Sequence, residues 1–172
     1  MKKTFLILIA ASAAVLLCSC GEEKNKNLIT FHIGSTLSME PGLMREDVAM
    51  PMSGMHLMVQ KEPFMYSGDI DRVDVAEVTM PGGAKVRGFY FKCQNRGSRR
   101  LLQATGSHWG DFIVVKYNEH PIAIRKIDST ITNGMLFACS EIPDAECQAF
   151  ADDMNESIKN VNEVKEEAHE LY

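Results

Sequence analysis

A chain of 172 residues, 45% hydrophobic and 24% charged, is long enough to bury one proper core and not comfortably two. Its net charge is −5 and it has no basic run, so a surface that holds nucleic acid through phosphates is excluded.

The first 19 residues read as a targeting segment. Lys2 and Lys3 form a basic head, and residues 5–17 form an apolar run too short to span a bilayer comfortably. Leu17-Cys18-Ser19-Cys20-Gly21 then resembles a bacterial lipobox, which implies cleavage before Cys20 and diacylation of its thiol; a plain signal peptide or an uncleaved anchor is the alternative. Acyl chains on Cys20 would anchor the protein to a membrane without spanning it. Gly21 follows where an aspartate would retain a lipoprotein at the inner membrane, which favours the outer membrane of a bacterial envelope, with the domain in the periplasm or at the surface. Residues 20–27 are then a lipidated cysteine and a polar tether, of which 21–27 would span about 23 Å fully extended, at roughly 3.3 Å per residue.

Residues 28–33 alternate Ile29, Phe31 and Ile33 against Thr30 and His32, the pattern of a half-buried strand. Gly34, Ser35, Pro41 and Gly42 mark a loop, and a short strand near 47–50 is stopped by Pro51. A strand over 55–61 alternates Met55, Leu57 and Val59 against His56, Met58 and Gln60, and 69–71 reads as a turn or a single helical turn. Strands over 73–80 and 84–93 are joined by Pro81-Gly82-Gly83 as a hairpin.

From there the chain predicts a helix over 98–108 ended by Gly110, a hairpin over 111–127, a strand over 135–140 and a long helix opened by Pro143. Phe112, Ile113, Val114 and Val115 are apolar on both faces, as in a central strand, whereas the return strand 122–127 carries Arg125 and Lys126 and suits a place nearer an edge. Leu101, Leu102 and Thr105 make the apolar side of the first helix; Phe150, Met154, Ile158 and Val161 make that of the last. The fold class is therefore α+β: an antiparallel sheet covered by a short helix and a long C-terminal helix, as a two-layer sandwich. The domain is expected over 28–161, with 162–172 as an overhanging acidic helix end that carries Val164 and Leu171.

Little in the chain points to chemistry. Cys93, Cys139 and Cys147 are an odd number for an oxidising compartment, so one disulfide and one free thiol are expected. Cys93–Cys139 would join two strand ends, and Cys139–Cys147 is the alternative. Met50, Met52, His56 and Met58 form a thioether-rich segment that would suit Cu(I), against the plainer reading of methionines filling a core. There is no HExxH, no G-x-S-x-G, no P-loop and no dinucleotide fingerprint, so no enzyme and no cofactor are expected. Trp109, the one tryptophan, is either buried at a helix–sheet junction or an exposed anchor for a partner.

One stretch carries a family resemblance. Gly97, Leu101, Leu102, Thr105 and Gly110, the apolar run 112–115, Asn118, Ile127, Ile131 and Gly134, and the segment 149–154 together resemble the head of the first periplasmic domain of SecD, the protein-export factor. The resemblance covers residues 84–158. It departs at Asn118-Glu119, where the family tends to have Asp-Gly, and at Pro143-Asp144, where it tends to have Phe-Thr. It implies a domain that engages a polypeptide on the outer side of the membrane, without the membrane helices that couple the family to the proton gradient. The expectation is a non-catalytic, lipid-anchored envelope protein that binds a protein or peptide. An edge at 122–127 would accept a strand, and Trp109, Ile122, Ile124, Val164 and Leu171 are the candidate contacts. A Cu(I)-binding module or a purely structural lipoprotein is the alternative.

Overall fold

In a computed structural model, which describes residues 28–36, 42–80 and 82–170, nine strands make one antiparallel sheet with two helices on one of its faces. In chain order the strands are β1 (Ile29–Ser35), β2 (Arg45–Ala49), β3 (His56–Gln60), β4 (Met65–Tyr66), β5 (Ile70–Thr79), β6 (Lys85–Cys93), β7 (Phe112–Tyr117), β8 (His120–Lys126) and β9 (Met135–Ser140). The helices are α1 (Asn95–Ser107) and α2 (Cys147–Glu170), and a 3₁₀ turn, Ser67–Asp69, precedes β5. The strands lie in the order β2-β3-β1-β7-β8-β9-β6-β5, with β4 also on β1. The expected two-layer α+β sandwich is the architecture found. The targeting segment, Cys20, the tether and Leu171 lie outside the described residues.

The helix side holds the main core. Ile29, Phe31 and Ile33 of β1, Ile113 and Val115 of β7, Leu136 and Ala138 of β9, and Phe89 and Phe91 of β6 meet Leu101 and Ala104 of α1. From α2 the buried apolar residues are Cys147, Ala151, Met154 and Ile158, at the three- and four-residue spacing of one helical stripe. Phe150, expected in that stripe, sits at its flank with its ring against Tyr117. The helix also begins later than its proline: Pro143 opens a turn in which its carbonyl accepts the Glu146 N–H at 2.9 Å, and regular helix starts at Cys147.

The other face of the sheet is not bare, and this changes the reading of β1. All seven of its residues are buried, including Thr30 and His32 on what looked like the polar side. The reason is the β2–β3 hairpin, which joins β1 through only two residue pairs, Gly34↔Val59 and Ser35↔Met58, and turns over the outer face. There Met50, Leu57 and Val59 bury against Val114 and Ile124. Gly34 permits this closeness, since a Cβ on it would sit 3.2 Å from Val114 and 3.3 Å from Val59. The hairpin tip is clamped by the buried Glu141, whose Oε2 accepts the Met52 and Ser53 N–H groups, each at 2.9 Å.

Burying a polar face requires partners for it. The His32 ring has both: Nδ1 bonds the Gln60 carbonyl at 2.8 Å and Nε2 the Thr30 hydroxyl at 2.9 Å. Lys116, 3% exposed, is neutralised by Glu46 of the hairpin.

The Ser67–Asp69 turn is the joint between layers. The Ser67 hydroxyl accepts the Ile29 N–H at 2.8 Å, and the wholly buried Asp69 carboxylate takes Arg100 at 2.8 Å, with Arg96 at 3.5 Å. Lys165 of α2 donates to the Gly68 carbonyl and lies with Arg100 over the Tyr66 ring. The long helix is thus held on the domain as far as Lys165, not released after Val161 as the acidic sequence suggested.

Candidate functional site

The two ends of the sheet differ. β2 is short, carries Arg45, Glu46 and Asp47, and the outward N–H and C=O of Arg45 are taken up locally by Gly42, at 3.4 and 3.3 Å. β5 is ten residues long and pairs only with β6. At Val73 its outer edge is occupied by α2, because the Asn155 carboxamide accepts the Val73 N–H and donates to the Val73 carbonyl, both at 2.8 Å. Antiparallel pairing turns alternate residues outward, so the N–H and C=O groups of Val75, Glu77 and Thr79 face the same way as those of Val73. Among the described residues no strand covers them. On this stretch Ala76 and Val78 lie on one face, opposite Gly88 and Val86 of β6, and Glu77 lies on the other beside Lys85 at 2.8 Å.

The edge expected at residues 122–127 is not an edge. β8 lies between β7 and β9, Ile122 is 1% and Ile124 8% exposed, and neither side chain is available to a partner. Arg125 and Lys126 suggested an edge because β8 and β9 pair only at Ala123↔Ser140 and Ile124↔Cys139, then part. Charged side chains are solvated where the two strands separate.

The cysteines do not pair. Cys139 is opposite Gly88 in the β6–β9 ladder, whereas Cys93 lies five residues further along β6, where its N–H bonds the Gly134 carbonyl. At about 3.3 Å per residue that offset is far beyond disulfide reach. Cys139 faces the outer cluster while Cys147 is in the helix-side core against the Ser140 hydroxyl at 3.3 Å, so the second pairing fails as well. All three are free thiols. Burial pushes Cys93 up to about 12, and it raises Cys139 too, so neither is a ready nucleophile.

The thioether segment is dispersed. Met50 is buried in the outer cluster with Leu57 and Val59, Met52 is exposed at the turn, and His56 and Met58 point to the opposite side of β3, where His56 contacts Asp47 at 3.2 Å. These four do not converge on one point. No group of three or more histidine, cysteine or acidic side chains suited to a metal occurs among the described residues.

Trp109 takes the exposed alternative, with 79% of its surface open where α1 ends. Val164 is 43% exposed on α2. No described helix is long and apolar enough to cross a membrane.

No family model matches the chain, and no curated protein is similar to it in sequence. Solved structures are similar in fold. A structure of SecDF, described as a membrane component that enhances protein export, superposes with a TM-score of 0.50 at 10% identity, over 77% of this chain and 61% of that one. SecDF in its super-membrane-facing form superposes with the same score at 12% identity, over 77% of this chain and 18% of that one. The chain therefore spans less than two thirds of the SecDF chains it resembles. The SecD-like fold reaches beyond residues 84–158, since the shared part includes over three quarters of this protein.

Proposed function

We propose that this protein is a non-catalytic, lipid-anchored component of a bacterial envelope whose SecD-like domain binds an extended polypeptide, in export or envelope biogenesis. The observation that carries this is the open outer edge of β5 from Val75 to Thr79, on a fold shared with a membrane component that enhances protein export. An added strand would find regularly spaced backbone donors and acceptors there, with Ala76 and Val78 as an apolar shelf for alternate side chains. Asn155 closes the edge at Val73 and so would fix where the added strand ends. Acyl chains on Cys20 would supply the membrane attachment, with the outer membrane favoured and Val164 on α2 as a further contact, together with Leu171, which lies outside the described residues.

The test is a comparison of envelope proteins captured from detergent extract by the full chain and by Glu77→Pro. Proline removes an outward N–H without disturbing the β5–β6 ladder. A partner lost with Glu77→Pro supports strand addition; identical recovery by both chains overturns it. Cys20→Ser should abolish incorporation of a palmitate analogue, and retained labelling would refute the anchor.

A further inference from the structure

Two clefts lie away from the β5 edge, one on each side of the loop between β8 and β9. The first, about 310 Å³, runs between the end of α1 and that loop, and is lined by Trp109, Thr105, Gly106, Asp128, Ser129 and Thr130. The second, about 280 Å³, opens where β8 and β9 part, with Tyr90, Phe137 and Arg125 on its walls. Ser129 and Thr130 are common to both, so the clefts share a wall.

Their chemistry is unlike that of a peptide groove. Trp109 is a flat apolar surface in the first cleft, and Tyr90 and Phe137 are a ring pair in the second, with centroids 6.5 Å apart. Around the rings stand the Ser129, Thr130 and Thr132 hydroxyls, the Asn133 amide and one ion pair, Arg125 Nη2 to Asp128 Oδ1 at 2.8 Å. Ser129 donates to the same Asp128 oxygen at 3.2 Å. Burial alone would raise the Asp128 carboxyl, but these hydrogen bonds and the Arg125 charge outweigh it and hold the group below its usual range. Gly106 keeps the floor beside the indole open: the nearest atom to a Cβ there would be the Thr130 methyl at 3.9 Å.

Each candidate ligand class makes different demands. A phosphate or an acidic lipid headgroup needs uncompensated cations, and the one cation in these walls, Arg125, is already neutralised by Asp128. An apolar peptide side chain needs an enclosed apolar pocket. A pyranose needs a flat ring for its C–H face and a rim of groups that both donate and accept for its hydroxyls. Hydroxyls, an amide, a carboxylate and a guanidinium beside the exposed Trp109 ring and the half-buried Tyr90 and Phe137 rings meet that demand.

We infer that these clefts are adjacent subsites for a saccharide chain, one sugar ring stacking on Trp109 and a neighbouring ring reaching Tyr90 and Phe137 across the Ser129–Thr130 wall. The site stands on observations separate from those behind the polypeptide reading, and the two stand or fall independently.

Because Trp109 is the only tryptophan, its emission reports this site alone. The experiment titrates the full chain in detergent with chitotetraose, cellotetraose and maltotetraose, following tryptophan fluorescence, with calorimetry for variants that lack the reporter. A saturable blue shift with at least one of the three is expected. Trp109→Ala, a change at an exposed position, should weaken the binding measured by calorimetry at least roughly tenfold, or about 1.4 kcal/mol. Asp128→Asn should weaken it about fivefold by removing a charged acceptor. Glu77→Pro should leave it unchanged, so loss of polypeptide capture and loss of sugar binding are separable. Absence of a saturable change with all three sugars up to about 10 mM, weaker than the millimolar end of the affinity scale, overturns the inference. Undiminished binding by Trp109→Ala, or a shift produced by an extended peptide and by no sugar, overturns it as well.

Discussion

The side chain of Asn155, in the middle of α2, takes the place of a neighbouring strand for Val73: one carboxamide satisfies both the N–H and the C=O of that residue at 2.8 Å. This ties the long helix to the sheet's last strand and limits the open edge to the residues beyond. Asn155→Ala leaves both backbone groups without that partner and should cost about 1–3 kcal/mol. Urea unfolding measures the loss, and hydrogen exchange at the Val73 amide should become at least roughly tenfold faster, the equivalent of about 1.4 kcal/mol. An unchanged exchange rate would show that the bond contributes nothing.

Two glycines of α1, Gly97 and Gly106, should respond to alanine with opposite signs. Helix propensity alone favours alanine at both by about 1 kcal/mol. At Gly106 the nearest atom to the new methyl is 3.9 Å away, so Gly106→Ala should stabilise by about 0.5–1 kcal/mol. At Gly97 the methyl would fall on the Asp69 carbonyl oxygen, which itself holds the Gln94 N–H at 2.9 Å. Backbone cannot give way cheaply there, and Gly97→Ala should destabilise by about 1–3 kcal/mol. Thermal melts of the two variants side by side would decide it, and a shift in the same direction for both would contradict the close approach of α1 to the 3₁₀ turn.

The His32 imidazole gives the fold a pH dependence. Burial, the largest influence, holds it below its ordinary value, and the Lys116 charge adds to this against the opposing pull of the Gln60 hydrogen bond, Glu119 and Glu46. A histidine lowered in the folded state binds fewer protons there than in the unfolded chain. Its contribution is therefore flat above the unfolded value of about 6.5 and turns unfavourable as pH falls below it, until the folded group titrates too. Urea midpoints should drop between about pH 7.5 and 5.5. In His32→Gln that part of the drop should vanish; an equal drop in both chains would assign the effect to other groups.

The β7–β8 turn runs through Asn118 and Glu119, both left-handed with φ of 50° and 67°. Asparagine tolerates this and also accepts the Leu28 N–H at 3.0 Å through its side chain. Glutamate gains nothing comparable, and a two-residue turn of this kind favours glycine at its second position. Glu119→Gly should stabilise by about 0.5–1 kcal/mol, the left-handed strain relieved less the entropy glycine adds to the unfolded chain. A lower melting temperature for this variant would count against it.

Much of this protein was determined by its sequence alone. Alternation and turn residues placed β6, β7 and β9 within a residue or two. The doubly apolar run Phe112 to Val115 placed β7 at the centre of the sheet, and the helical stripes placed α1 and α2 on one face. These are properties of a few consecutive residues, set by side-chain period and backbone sterics.

The tertiary structure decided what depends on which segments meet. β4, two residues long, is too short to have a period. The burial of Thr30 and His32 came from a hairpin folding over them, and the exposure of Trp109 from no described segment doing the same. Which strand is an edge, which cysteines are apart, and where the clefts open all follow from register and strand order. Those are fixed by contacts between residues distant in the chain, such as Asn155 with Val73 and Glu141 with Met52, which no local pattern encodes.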